Sequence, residues 1–197
     1  EPRAIQFRWA VWSRHKRRFG ILHGASYASF TGLVVVPLKQ KAPPFWRHNR
    51  AMHQTIFPMH HITPDKIKPI LDRLNCGDFE YYTGYPSILC NLAELILDQN
   101  LRVTAPPKVI FTGAENIYEH QRKLISNVFQ CVVTDQYGFS EGCGNASRCE
   151  ADLFHEDFEY GHLECIDPET IDQTTTLGRI VCTGFSSFAV PFIRYDV

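Results

Sequence analysis

The run Lys108-Val109-Ile110-Phe111-Thr112-Gly113-Ala114-Glu115, a helical pattern over Tyr118 to Phe129, and then Cys131-Val132-Val133-Thr134-Asp135-Gln136-Tyr137-Gly138-Phe139-Ser140-Glu141-Gly142 decide the fold. Val109 to Phe111 lie between Pro106-Pro107 and Gly113, and a short apolar run bounded by breakers reads as a strand buried on both faces. Strand, helix and strand in this order make a parallel β-α-β unit. The same alternation extends toward the N-terminus. Phe79 to Thr83 reads as a strand and Ile88 to Leu97 as a helix, joined by Gly84-Tyr85-Pro86-Ser87. Thr63-Pro64-Asp65 opens a further helix, with Thr63 as cap and Ile67, Ile70, Leu71 and Leu74 as its buried stripe. Before it, Thr31 to Leu38 suits a strand entering a loop rich in Pro and aromatics, and Ile5 to Phe19 a basic amphipathic helix stopped by Gly20. Toward the C-terminus the helical period disappears. Gly161 to Ile166 and Gly178 to Thr183 read as strands joined by a polar turn over Asp167 to Thr176. The expected class is therefore α/β, a mostly parallel sheet flanked by helices and followed by an antiparallel, barrel-like β segment. The boundary falls near residue 155, giving parts 1–155 and 156–197.

Composition narrows the partners. The 197 residues are 44% hydrophobic, enough for a sizeable core, and 20 Lys plus Arg balance 21 Asp plus Glu. No global field favours nucleic acid, and the basic run Arg14 to Arg18 reads as a solvated helix face. No apolar run reaches the roughly 20 residues that a membrane span needs. Seven cysteines at irregular spacings point to reduced thiols in a cytoplasmic protein rather than to a disulfide framework. The chain starts at Glu1-Pro2-Arg3 and stops at Arg194-Tyr195-Asp196-Val197, which reads as an internal piece of a longer protein. Its oligomeric state is not legible.

Ligands of open α/β sheets sit beyond the carboxyl ends of the strands, so the loops after the strands carry the candidate chemistry. After Val109 to Phe111 comes Thr112-Gly113-Ala114-Glu115-Asn116, a glycine that lets backbone approach a ligand beside a carboxylate. After Val132 to Thr134 comes Asp135 to Gly142, with an aromatic plate, two glycines, a hydroxyl and a carboxylate. Such a set suits a nucleotide and its metal: Tyr137 against a base, Ser140 donating to a phosphoryl oxygen, Glu141 holding Mg2+. A turn followed by a helix capped by Ser140 would need the same residues.

Tyr137-Gly138-Phe139-Ser140-Glu141 resembles the Tyr-Gly-x-Thr/Ser-Glu motif of the adenylate-forming superfamily, and Thr112-Gly113-Ala114-Glu115 resembles its Gly-Ala-Glu adenine segment about 25 positions earlier. Gly178-Arg179-Ile180-Val181-Cys182-Thr183 and Pro191-Phe192-Ile193-Arg194-Tyr195 are similar to segments of the phenylacetate-CoA ligase branch. Met59-His60-His61-Ile62-Thr63 and Gly84-Tyr85-Pro86-Ser87 resemble the capsular polysaccharide biosynthesis (coenzyme F390 synthetase-like) relatives. The resemblance implies a ligase that activates a small carboxylic acid with ATP to an acyl-adenylate and then transfers it to coenzyme A. It implies Glu141 as the Mg2+ ligand and Ser140 as a contact to the α-phosphate. Gly113, Ala114, Glu115, Tyr137 and Gly138 would bind the nucleotide, and His61, Tyr85 and Pro86 would line the acyl side. The family's phosphate loop, its ribose-binding Asp and its C-terminal lid with a catalytic Lys match nothing in this sequence, so the piece alone is expected to lack full activity.

Two further readings stand beside this one. The chain can be a non-catalytic or partner-dependent relative that binds a nucleotide or acyl compound in polysaccharide biosynthesis; an α/β hydrolase or glycosyltransferase-like domain is a weaker reading, the hydrolase because no Gly-x-Ser-x-Gly elbow is present. Cys143, Cys149 and His155, with Glu150, Glu156 and His162 nearby, contain zinc-type ligands, but their spacing matches no standard finger or ribbon. A loop of packed or solvated side chains is the expected reading there.

Overall fold

The computed structural model describes residues 2–197 and divides into two compact bodies, residues 19–135 and residues 2–18 with 136–197. The chain has the expected class: a mainly parallel sheet flanked by helices, and a separate antiparallel sheet.

In the body of residues 19–135 the strands are β1 (Tyr27–Thr31), β2 (Arg47–Asn49), β3 (Gln54–Pro58), β4 (Tyr81–Gly84), β5 (Val109–Thr112) and the first half of β6 (Val132–Gly138). They lie in the order β2-β3-β1-β4-β5-β6, and every pair is parallel except β2 with β3. One face of the sheet carries Ala28, Phe30, Phe57, Tyr82, Ile110 and Val133, all buried. Against it pack α2 (Ile67–Leu74), α3 (Pro86–Asp98) and α4 (Glu119–Phe129), whose apolar positions recur at three and four residues. Phe30 stacks on Phe57 at 5.3 Å, and Tyr82 meets Phe30 and Phe129 edge-on, each at 5.7 Å. Pro86 opens α3 at its first turn, where the missing N–H leaves no intrahelical bond unmade.

The chain winds outward from β1 to β3 on one side and from β4 through β5 to β6 on the other, so the strand order reverses between β1 and β4. At that seam the backbones approach closely. A Cβ added to Gly84 would stand 2.8 Å from Phe30 Cβ and 2.9 Å from its carbonyl oxygen, so no larger residue fits without displacing β1.

The β-branched stretch expected as a strand over Thr31 to Leu38 is instead a loop after β1; Leu33 and Val34 are exposed, and Val36 alone of the run is buried. The strand that fills the seam is Tyr27–Thr31, whose Ala28 and Phe30 point into the core.

The other body contains α1 (Pro2–Arg18), the second half of β6, β7 (Asn145–Arg148), β8 (Phe154–Glu156), β9 (Gly161–Thr170), β10 (Thr176–Gly184) and β11 (Tyr195–Asp196). All its pairings are antiparallel: β6 with β7, β7 with β8, and β9-β10-β11 as a three-stranded sheet. The change from parallel to antiparallel pairing thus begins inside β6, after Asp135, rather than near residue 155. The physical reason is the hairpin that reverses the chain after Gly138 and lays β7 back along β6.

Candidate functional site

At the carboxyl ends of β1 and β4, where the strand order reverses, a cavity of about 260 Å3 opens. This is the place at which open α/β sheets bind ligands. Tyr85, the residue before α3, and Gly113, the residue after β5, both line it, as do Ser29, Thr31, Thr83 and Leu33. A candidate acyl-side residue and a candidate nucleotide-side residue therefore share one cavity. Gly113 has open space where a Cβ would point, and the next residue, Ala114, is held at φ 64°. A left-handed alanine costs about 1–2 kcal/mol, and such strain persists where the surroundings over-determine it.

Glu115 makes two bonds that tie the loop after β5 to the loop after β4. Its carboxylate accepts the Ser87 backbone N–H at 3.1 Å and the Ser87 hydroxyl at 3.0 Å. Ser87 lies in the first turn of α3, so the negative charge also faces the positive end of the helix dipole. Pro86 is buried, and Tyr85 is 37% exposed. His61 lies elsewhere in its bonding. It is buried, stacks on Phe45 at 5.4 Å, and has both ring nitrogens engaged: Nε2 with the Pro37 carbonyl at 3.1 Å and Nδ1 with Lys66 Nζ at 3.3 Å. Those contacts fasten the loop after β1 to the chain leading into α2, and they leave neither nitrogen for a substrate.

β6 reaches its motif under restraint. Arg122 of α4 donates to the Val133 carbonyl at 2.6 Å and to Asp135 Oδ1 at 2.8 Å, with both charged side chains largely buried. In the other body Tyr137 and Gly138 end the strand, and Phe139 to Gly142 form a turn closed by the Gly142 N–H on the Phe139 carbonyl at 3.1 Å. The alternative of a helix capped by Ser140 is not what forms; strand β7 follows the turn. Gly142 has φ 70°, and an added Cβ would lie 2.6 Å from an Arg8 guanidinium nitrogen and 2.8 Å from the Tyr160 hydroxyl. The positive φ is what favours glycine there, since the Arg8 and Tyr160 side-chain ends can swing aside.

Ser140 and Glu141 are exposed at the tip, and Tyr137, 38% exposed, meets Phe139 edge-on at 5.9 Å. Arg8 of α1 holds the turn by donating to the Ser140 carbonyl at 3.2 Å. The Tyr195 hydroxyl donates to Glu141 Oε1 at 3.3 Å, and the carboxylate beside it raises the phenol's pKa above its ordinary 10. Glu141 is thus an exposed carboxylate with one oxygen bonded and the other open. That donor set fits Mg2+ arriving with a nucleotide, since this ion takes one or two carboxylates and completes its shell with phosphates and water. No group of three or more His, Cys, Asp or Glu side chains capable of holding a metal occurs among the described residues. Cys143 is buried with its sulfur on that of Cys182, Cys149 closes a turn through its backbone, and His155 is exposed on β8.

A second node was not anticipated from the sequence. Asp157, 2% exposed, accepts Asn145 Nδ2 at 2.5 Å, Ser147 Oγ at 2.6 Å and Arg14 at 2.6 Å. Ser147 Oγ in turn accepts Gln136 Nε2 at 2.8 Å, so the chain of bonds ends on the residue before Tyr137. Arg14 also grips Glu159, and the two carboxylates raise its pKa, Glu159 first. The one signal in sequence is the polar pair Asn145 and Ser147 alternating with a buried Ala146.

No family model matches the sequence. Protein CapK of Staphylococcus aureus is 28% identical over 182 residues, which cover 92% of this chain and 39% of that protein. Among solved structures, 2-hydroxyisobutyryl-CoA ligase in complex with R3-HIB-AMP superposes with a TM-score of 0.67 at 17% identity, covering 98% of this chain and 42% of the ligase. A malonyl-CoA ligase with methylmalonyl-CoA and AMP bound gives 0.57 at 14% identity over 94% and 40%. The chain therefore has the fold of a part of adenylate-forming CoA ligases and spans about two fifths of the proteins it resembles. The resemblance read from its motifs is met at the level of fold.

Proposed function

We propose that this chain is part of a cytoplasmic ligase that uses ATP to convert a carboxylic acid to an acyl-adenylate and then passes the acyl group to coenzyme A. The observation that carries this reading is the cavity at the strand-order reversal, which Tyr85 lines from the expected acyl side and Gly113 from the expected adenine side. The ligases that share the fold are themselves complexed with acyl-AMP or AMP, which supports the same chemistry here.

In the proposed reaction a substrate carboxylate oxygen bonds to the α-phosphorus of ATP and pyrophosphate leaves. The thiol of coenzyme A then attacks the acyl carbonyl and AMP leaves. Displacement at phosphorus needs in-line positioning and charge neutralisation more than covalent help from the protein. Gly113, with open space above it, and Ala114 offer a flat surface to the adenine; Glu115 keeps that loop fixed through Ser87. On the motif resemblance, Tyr137 and Gly138 would contact the nucleotide, Ser140 would donate to its α-phosphate, and Glu141 would hold Mg2+, which neutralises phosphate charge when bound. Tyr85 and Pro86 border the acyl group. Tyr195, bonded to Glu141, orients its carboxylate.

The test is ATP-pyrophosphate exchange by the full-length protein across a panel of carboxylic acids, repeated with Glu141→Ala. Exchange that depends on one class of acid and drops at least 100-fold in the variant supports the reading. Acid-dependent exchange that persists unchanged removes Glu141 from the mechanism, and nucleotide binding without exchange points to a non-catalytic relative.

A further inference from the structure

Cys143 and Cys182 stand 39 positions apart in the chain, yet their sulfurs meet at 2.7 Å with both side chains buried. The backbone enforces this meeting. Gly161 of β9 and Gly184 of β10 are paired in register, and Cys143 lies against both. A Cβ added to Gly184 would stand 2.9 Å from Cys143 Cα, and one added to Gly161 would run into the Cys143 carbonyl group. The two glycines thus leave a slot that admits Cys143 to the β9–β10 sheet, where Cys182, two residues before Gly184, presents its sulfur. The contact follows from where the chain runs and not from the rotamer of one side chain.

The pair adjoins the motif turn. Cys143 follows Glu141 by two residues, and Cys182 faces Tyr195 in the β10–β11 pairing. The Tyr195 hydroxyl donates to Glu141 Oε1 at 3.3 Å, so the segment from Glu141 to Cys143 touches β11 at one end and β10 at the other. The first contact is an exposed hydrogen bond. The second becomes covalent if the two sulfurs are joined, and joining groups that the fold already holds together loses little further freedom.

We infer that Cys143 and Cys182 form a reversible disulfide under oxidising conditions, and that this bond clamps the Tyr137–Glu141 turn to β10. The oxidant is a low-molecular-weight disulfide such as oxidised glutathione. The Cys143 thiol loses its proton and displaces one glutathione thiolate, giving a mixed disulfide; the Cys182 thiol then loses its proton and displaces the second glutathione from the Cys143 sulfur. Two protein thiols are oxidised, one glutathione disulfide is reduced to two thiols, and the two protons end on those thiols. Burial, with Cys143 alongside, pushes the Cys182 thiol up to about 12, which slows the exchange without moving its end point. In a reducing compartment the pair rests as thiols, as it stands here, and the bond is the transient, redox-sensing kind.

The experiment equilibrates the full-length protein in glutathione buffers from fully reduced to fully oxidised, unfolds it in iodoacetamide without reductant, and digests it for mass spectrometry. Peptides joined through Cys143 and Cys182 should be at least tenfold more abundant than any other cysteine pair, including pairs with the exposed Cys76 and Cys165. The link should disappear with dithiothreitol and be absent in Cys143→Ser. The Gly142 amide, which closes the turn on the Phe139 carbonyl, should exchange its hydrogen at least fivefold more slowly in the oxidised protein than in the reduced one. Both readings compare two states of the unmodified protein, so the test survives if the serine variant does not fold. Alkylation of Cys143 and Cys182 after oxidation as complete as in the reduced protein overturns the inference, as does preferential pairing of either with another cysteine. A Cys143–Cys182 link that leaves Gly142 exchange unchanged overturns the clamp. None of these readings depends on ligase activity, so the inference stands or falls apart from the proposed function.

Discussion

Replacing Asp157 by alanine should destabilise the body that carries the Tyr137–Glu141 turn by about 3 kcal/mol. The carboxylate is 2% exposed and receives three side-chain donors at 2.5 to 2.6 Å. Bonds to a charged acceptor contribute about 1.5–3 kcal/mol each, and breaking a buried ion pair costs about 3–5 kcal/mol. Those figures do not add here. The Arg14 side chain is 41% exposed and keeps Glu159, so its share is screened and partly retained. Asn145 and Ser147 lose the acceptor for their donated hydrogens, and they dominate the loss. In a domain of this size each 1 kcal/mol moves Tm by about 2–4 °C, so Asp157→Ala should melt about 6–12 °C lower, and Asp157→Asn, which preserves shape and one acceptor, roughly half as far. Thermal and urea unfolding followed by circular dichroism measure this, and hydrogen exchange at the Gly142 N–H locates it: that amide closes the turn and should exchange faster in the variant. A loss below 1 kcal/mol for Asp157→Ala would refute the argument that this carboxylate holds β7 to β6.

Three other expectations follow from buried or paired groups. Tyr82 is fully buried with no hydrogen-bond partner for its hydroxyl among the described residues, so Tyr82→Phe should leave stability unchanged or raise it by about 1 kcal/mol, as urea unfolding would report. All seven cysteines are free thiols, but burial pushes Cys131 and Cys182 up to about 12, while Cys76 and Cys165 are exposed. Iodoacetamide at neutral pH should therefore alkylate Cys76 and Cys165 first, and Cys131 and Cys182 only on unfolding, as mass spectrometry of the peptides would show. Arg73 holds the Asp78 carboxyl below its ordinary 3.8. A depressed carboxylate stabilises the fold above its unfolded pKa and loses that contribution as pH falls through the folded value. Asp78→Asn should thus lower stability at pH 7 by about 0.5 kcal/mol, discounted because the Asp78 side chain is 55% exposed, and the difference from the unmodified protein should vanish once the pH has fallen through the lowered folded value.

The sequence made the regular part of the fold legible because each β-α-β step is local. Val109 to Phe111, the helical run Ile88 to Leu97 and the stripe Ile67, Ile70, Leu71 and Leu74 announce their states within a few residues, and each forms as read. β3 was not legible. Gln54–Pro58 contains a glutamine, a threonine and a proline, and it becomes a strand only because β1 and β2 pair with it on either side. The same limit hid the Asp157 node, whose members are up to 143 positions apart. His61 shows the opposite error: a polar neighbourhood in sequence, Met59-His60-His61, turned out to place one histidine under Phe45 with both nitrogens bonded.

Glu115 is exposed, yet it sets the geometry of the cavity rim. The loops after β4 and β5 emerge from adjacent parallel strands, and Tyr85 and Gly113 are useful to one ligand only if those loops keep a fixed separation. Backbone pairing ends at Gly84 and Thr112, so it cannot set the separation beyond them. The Glu115 carboxylate does, by bridging to both the N–H and the hydroxyl of Ser87 two residues past Tyr85. The left-handed turn at Ala114 lies between the strand end and this bridge, and its strain is offset by the two bonds and the helix dipole that Glu115 then meets. On this account Glu115 acts on a nucleotide by holding Gly113 and Ala114 in place, and Glu115→Gln, which can still accept from Ser87, should preserve ligand affinity better than Glu115→Ala.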